Sequence, residues 1–170
     1  MRSFAFRSAF AAAALASSIA GADADTASGT IGISATVVTS CTVSASSTPV
    51  AFGTVYTNYS AAYNATGDIY VTCGNGVTYN IGLDPGGFYG TGTRNMQLSG
   101  GSALLAYQLY RTTAERTAGT PTWGMTIGTN TYAGTATGSQ QTIPVYGQVP
   151  TGQTLTPGSY ADTVNITVTF

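Results

Sequence analysis

Short stretches of alternating apolar and polar residues, cut apart by glycine-rich turns, run through this chain, and that rhythm restricts it to β-structure. Asp68–Cys73, Val77–Leu83, Ala103–Tyr110, Gln140–Val149 and Ser159–Phe170 read as strands. Between them lie turn clusters such as CGNG, DPGG, YGTGT, SGG, TNTYAGTATGS and TPG. No segment beyond the N-terminal leader carries a helical period, and short strands at this spacing pack as a sandwich or a barrel. Abundant threonine and tyrosine with only 6% charged residues suit sheets whose outer faces are polar but uncharged.

The first residues set the compartment. Arg2 and Arg7 precede an apolar run from Ser8 to Ala16, and AGADA offers cleavage sites after Ala22 or Ala24, so residues 1–22 read as a secretory signal peptide. The run is too short to cross a bilayer, and no later stretch approaches the roughly 18 apolar residues that a membrane helix needs. The remaining chain, about 148 residues, suffices for one domain with a real core. An exported chain with two cysteines is expected to pair them, so Cys41 and Cys73 close a loop; two buried free thiols are the alternative.

Composition excludes several functions. All five basic residues are arginine, two of them in the leader, and histidine is absent. Nucleic acid and anionic membranes need clustered cations, so neither is a partner. Acid–base, nucleophilic and metal chemistry draw mostly on histidine, lysine or an activated cysteine, so no catalytic residue, cofactor or metal is expected. No spacing among Asp68, Asp84, Glu115 and Asp162 singles out a catalytic carboxylate pair, and the GTG of Gly90–Gly92 is a turn. Asp162 reads as a hydrogen-bonded turn or strand-start residue, and Arg94 and Arg111 as surface or rim charges.

The two ends of the expected domain stand out. In TIGISATVV, Ile31, Ile33, Ala35 and Val37 form one apolar face of a strand that lies ahead of the first cysteine. In the last segment Tyr160, Val164, Ile166, Val168 and Phe170 share a face, with Asp162 at the same parity, and no further strand follows. An immunoglobulin-like sandwich would place another strand beside it, so the fold reads as one strand short at its C-terminus with one spare at its N-terminus. The alternative is that Thr30–Val38 is an ordinary first strand of its own domain.

In order and spacing, the pieces CTV at Cys41–Val43, FG at Phe52–Gly53, GDIYVTC at Gly67–Cys73 and YNIGLDPG at Tyr79–Gly86 resemble the spore coat protein U-like pilins of archaic chaperone-usher fibres. RNM at Arg94–Met96, LAYQLYR at Leu105–Arg111, WG at Trp123–Gly124, IPVYGQVPTGQ at Ile143–Gln153 and PGSYADTVNITVTF at Pro157–Phe170 extend the resemblance over nearly all of the exported chain. It implies an all-β fold, an incomplete immunoglobulin-like β-sandwich completed by a donor strand from a neighbouring subunit. On that basis residues 23–39 are the donor extension and residues 40–170 the pilin domain. Ile31, Ile33, Ala35 and Val37 would be the inserted side chains, and Val164, Ile166, Val168 and Phe170 would line the acceptor groove. The implied partners are identical or related subunits, a periplasmic chaperone and an outer-membrane usher, and the implied destination is the cell surface, as a pilus with a role in attachment or biofilm. A spore or cyst coat built from the same domain is the nearest alternative, and a small outer-membrane β-barrel or a monomeric lectin-like module are more distant ones.

Overall fold

The computed structural model describes residues 25–44 and 47–170; the expected signal peptide lies outside the described residues. Residues 37–170 form one unit, and those described before it, 25–36, carry no regular secondary structure. The elements are β1 (Cys41–Val43), β2 (Tyr63–Cys73), β3 (Thr78–Leu83), β4 (Arg94–Leu98), β5 (Leu104–Tyr110), α1 (Thr113–Ala118), β6 (Tyr132–Thr135), β7 (Gln141–Val149), β8 (Tyr160–Ala161) and β9 (Ile166–Thr169). They form two antiparallel sheets, one ordered β1-β2-β7-β5-β4-β8 and the other β6-β3-β9. The result is an all-β immunoglobulin-like sandwich rather than a closed barrel.

The alternation explains the packing. Ile69, Val71 and Cys73 of β2, Ile143, Val145 and Val149 of β7, and Leu105, Tyr107 and Leu109 of β5 turn inward from the larger sheet, to meet Tyr79, Ile81 and Leu83 of β3. Trp123 fills the space between the sheets with no exposed surface. Its indole Nε1 donates to Ile81 O at 2.9 Å and its backbone N to Leu109 O at 2.7 Å, so one residue is bonded to both sheets.

Three features depart from the sequence expectations. Ser159–Phe170 is not one strand: β8 pairs with β4 in the larger sheet, and β9 pairs with β3 in the smaller. Residues 162–165 carry the chain from one sheet to the other. The short β4 and β6 arise where no alternation announced them. A short helix, α1, also forms, because the Thr112 side chain accepts a bond from Glu115 N at 3.1 Å while the Glu115 carboxylate reaches back to Arg111 N at 3.0 Å. Gly119 ends the helix in the left-handed conformation, at φ 75°.

Cys41 is bonded to Cys73, which joins the first residue of β1 to the last of β2 across 32 positions of sequence. In the loop-entropy account a bridge of that span contributes on the order of 3–4 kcal/mol. Folded protein is therefore expected to take up no thiol reagent before reduction, and the reduced form to lose about that much in a denaturant titration. Two reactive thiols in the folded, unreduced protein would contradict the pairing.

Candidate functional site

The strand β9 is hydrogen-bonded to β3 along one side, through Leu83↔Ile166 to Asn80↔Thr169, and along its other side no strand pairs with it among the described residues. Facing that free edge is a stretch without regular structure that follows β1. It is tied to β2 at Ser44, whose N donates to Tyr70 O at 2.9 Å, and at Thr48, where Thr48 N donates to Asp68 O at 2.9 Å and Asp68 N to Thr48 O at 3.1 Å. Two buried glycines let this stretch lie flat on the larger sheet. A Cβ at Gly67 would overlap Thr48 O, and one at Gly147 would overlap Val50 and the Phe52 ring.

Between these two walls lies a cleft of about 300 Å³, with Thr48, Val50 and Phe52 on one side and Val164 and Ile166 on the other. Its floor is the sandwich core itself, at Ile69, Leu83, Leu109 and Val145. A second cavity of about 680 Å³ continues it toward Pro157–Tyr160, and Val50, Phe52 and Met96 line both. The Phe52 ring stands edge-on to Tyr107 at 6.3 Å. The pair of cavities makes one long slot, apolar at its base and bordered by an unpaired strand edge.

A polar knot holds the wall formed by the terminal segment. Asp162 Oδ2 accepts from the Tyr107 hydroxyl at 2.6 Å, and its Oδ1 accepts from Gly87 N at 2.9 Å and Thr163 N at 2.8 Å. Asp84 accepts from Asn165 N at 2.9 Å and from Asn165 Nδ2 at 2.6 Å. These bonds turn the chain between the sheets at Asp162 and seat it again at Asn165. Burial alone would raise the Asp84 pKa, but the bonds from Asn165 and Gly86 and the Arg94 charge outweigh it and hold the carboxyl below its ordinary value. Burial, then the bond to Asp162, push the Tyr107 hydroxyl well above the usual range, so it stays a donor.

Arg94 is a correction to the expected rim charge. It is 4% exposed and donates to Leu83 O at 3.0 Å, to Asp84 O at 2.8 and 3.0 Å, and to Trp123 O at 2.7 Å. Burial lowers its pKa, and the nearby Tyr107, Asp84, Tyr89 and Asp162 offset part of that effect. Arg111 is half-buried and ion-paired with Glu115 on the helix.

Of the expected groove residues, Val164 and Ile166 line the cleft, Val168 packs against the core, and Phe170 lies past the end of β9, 55% exposed and outside the cleft. Ile31, Ile33 and Val37 are 86, 90 and 94% exposed, and Ala35 is exposed as well. No strand forms over Thr30–Val38. The opposite wall, Thr48–Phe52, and Met96 were not foreseen as site residues; the period-two pair Val50 and Phe52 was the available signal. Among the described residues no cluster of His, Cys, Asp and Glu has the make-up of a metal site.

The family model for the Spore Coat Protein U domain matches residues 27–167. The chain belongs to the Spore Coat Protein U domain family. Membership makes this a structural protein and not an enzyme. Among solved structures, this Spore Coat Protein U domain is similar to a chain of the CsuC-CsuE chaperone-tip adhesion subunit pre-assembly complex from archaic chaperone-usher Csu pili of Acinetobacter baumannii, with a TM-score of 0.55 and 23% identity. The likeness covers 79% of the domain's chain and 40% of that chain, and it shows a shared fold. No curated protein matches.

Proposed function

We propose that this chain is a structural subunit of an archaic chaperone-usher fibre, polymerising by donor-strand exchange. The observation that carries the proposal is the unpaired edge of β9 beside an apolar slot, in a chain whose own N-terminal segment exposes an apolar-alternating face. A strand added to an open edge gains main-chain hydrogen bonds along its length, and its alternate side chains enter the core and set register. Ile31, Ile33, Ala35 and Val37 of one subunit would supply those side chains. Val164 and Ile166 of the next would receive them, with Val168 toward the far end of β9 and Phe170 just past it.

The similarity to a complex of Csu pili supports a place in the same kind of assembly, in which a periplasmic chaperone holds the subunit and an outer-membrane usher passes it to the fibre. The expected signal peptide fits export through the periplasm to the cell surface, where such a fibre would serve attachment or biofilm. The family's own description favours a second setting, a spore or cyst coat assembled through the same groove. Neighbouring chaperone and usher genes would separate the two.

Deleting residues 25–38 tests the proposal. The truncated subunit keeps its own groove, so it is expected to fold, to be exported and to bind its chaperone, yet to extend no fibre. Chains that polymerise like wild type without this segment would remove its role as donor.

A further inference from the structure

The smaller sheet has two edges, and the one away from the slot is β6. Beside it lies a separate cleft of about 410 Å³, within the roughly 300–1,000 Å³ of small-ligand sites, lined by Asn80 of β3, Tyr132 and Ala133 of β6, Arg111, Glu115 and Thr131. We infer that this cleft binds a neutral sugar at the end of an oligosaccharide. The inference stands on the single domain and does not depend on how subunits join.

Charge decides the class of ligand. Arg111 and Glu115 are the only charged residues lining the cleft, and they are bonded to each other, through Arg111 Nε to Glu115 Oε2 at 3.2 Å and through Nη2 to Oε1. Burial alone would raise the Glu115 pKa, but the bonds and charge of Arg111 outweigh it and keep the carboxyl ionised. The pair is therefore neutral as a unit. It leaves no surplus cation for a phosphate, sulfate or carboxylate, and no surplus anion for an amine or metal.

What the cleft offers instead is a fixed set of hydrogen-bonding groups beside an apolar wall. Arg111 Nη1 donates to Thr131 O at 2.9 Å, and Thr131 Oγ1 donates to Asn80 Oδ1 at 3.3 Å, so both planar side chains are pinned. Asn80 Nδ2 and the Tyr132 hydroxyl bond nothing among the described residues and are left for a ligand. The Tyr132 ring is packed beside Trp123, at 6.1 Å between centroids, and Tyr79, at 6.4 Å, which holds it in place. Sugar hydroxyls donate and accept, and the C–H face of the ring needs an apolar support. Both needs are met by groups already immobilised, so binding orders few side chains. In the proposed fibre a filled slot at β9 would leave the cleft at β6 open on every subunit, and many weak sites on one fibre gain through effective concentration.

Retention on immobilised trisaccharides of glucose, galactose, mannose and N-acetylglucosamine tests this with the exported wild-type protein. At least one is expected to hold the protein and to release it to the same free sugar at about millimolar concentration. Ala133→Arg places a long side chain at the exposed lip and should cut retention at least about tenfold, while Tyr132→Phe, which keeps the packed ring and loses one free hydroxyl, should cut it about three- to tenfold. Both variants should melt at the wild-type temperature. No retention on any of the four, retention that both variants keep, or stronger retention on sialylated or sulfated forms of the same sugars would overturn the inference.

Discussion

Ile33→Asp is expected to abolish assembly and leave the isolated domain as stable as before. The side chain is 90% exposed in the single chain, so the change costs the folded subunit nothing that packing supplies. In the proposed fibre the same position enters a slot floored by Ile69, Leu83, Leu109 and Val145. A carboxylate placed there without a partner costs several kcal/mol or must take up a proton. At about 1.4 kcal/mol per decade, a cost of about 4 kcal/mol lowers subunit affinity on the order of a thousandfold. Ladders in mild detergent should vanish while the thermal melt of the monomer stays put. Wild-type ladders, by contrast, should collapse only on strong heating, since release requires opening a completed core. Equal polymerisation of the two proteins would end the assignment of Ile33 as an inserted side chain.

Arg94→Met should be the most damaging single change within the domain, costing about 3–5 kcal/mol. The guanidinium reaches from the larger sheet to Leu83 O and Asp84 O, at the end of the smaller one, and to Trp123 O between them. Methionine fills much of the volume but bonds none of these carbonyls, and each buried acceptor left without a donor costs about 1–3 kcal/mol. Relief of the desolvated charge offsets part of this. The expected drop in melting temperature is on the order of 10 °C. Arg111→Met is the milder comparison: its side chain is 18% exposed, it pairs with Glu115 and donates to one backbone carbonyl, Thr131 O, at 2.9 Å, so its loss should cost about 1–2 kcal/mol. Similar losses for the two variants would show that the buried carbonyls find other donors.

The long strands were legible because burial on one face imposes a period of two, and β2, β3, β5 and β7 keep it. β4 was not legible, since its buried Arg94 and Asn95 are satisfied by carbonyls outside the strand, Leu83, Asp84 and Trp123 for one and Phe88 for the other. Nothing in a local pattern shows such partners. The change of sheet at Asp162 was hidden for a different reason. Both sheets face one core, so Tyr160, Asp162, Val164, Ile166 and Val168 keep a single inward parity across the switch. The same alternation brought out Val164 and Ile166 on one wall of the slot. The other wall has no ladder to give it a period, and its seating depends on Gly67 and Gly147, whose importance lies in what they lack. The capping box of Thr112 and Glu115 was readable, but a six-residue helix is too short to show a hydrophobic stripe.

The bond between Cys41 and Cys73 also decides where force travels. If subunits are strung together through their N-terminal segments, tension on a fibre enters each domain just before Cys41. The three-residue β1 is a poor anchor by itself, since its few hydrogen bonds would be the first to give way. The covalent link hands the pull directly to β2, which is paired with β7 over nine residues, from Tyr63↔Val149 to Val71↔Gln141. Load along that axis shears the whole ladder at once instead of unzipping it bond by bond, so a fibre of reduced subunits should stretch and fail at far lower force than one with its bridges intact.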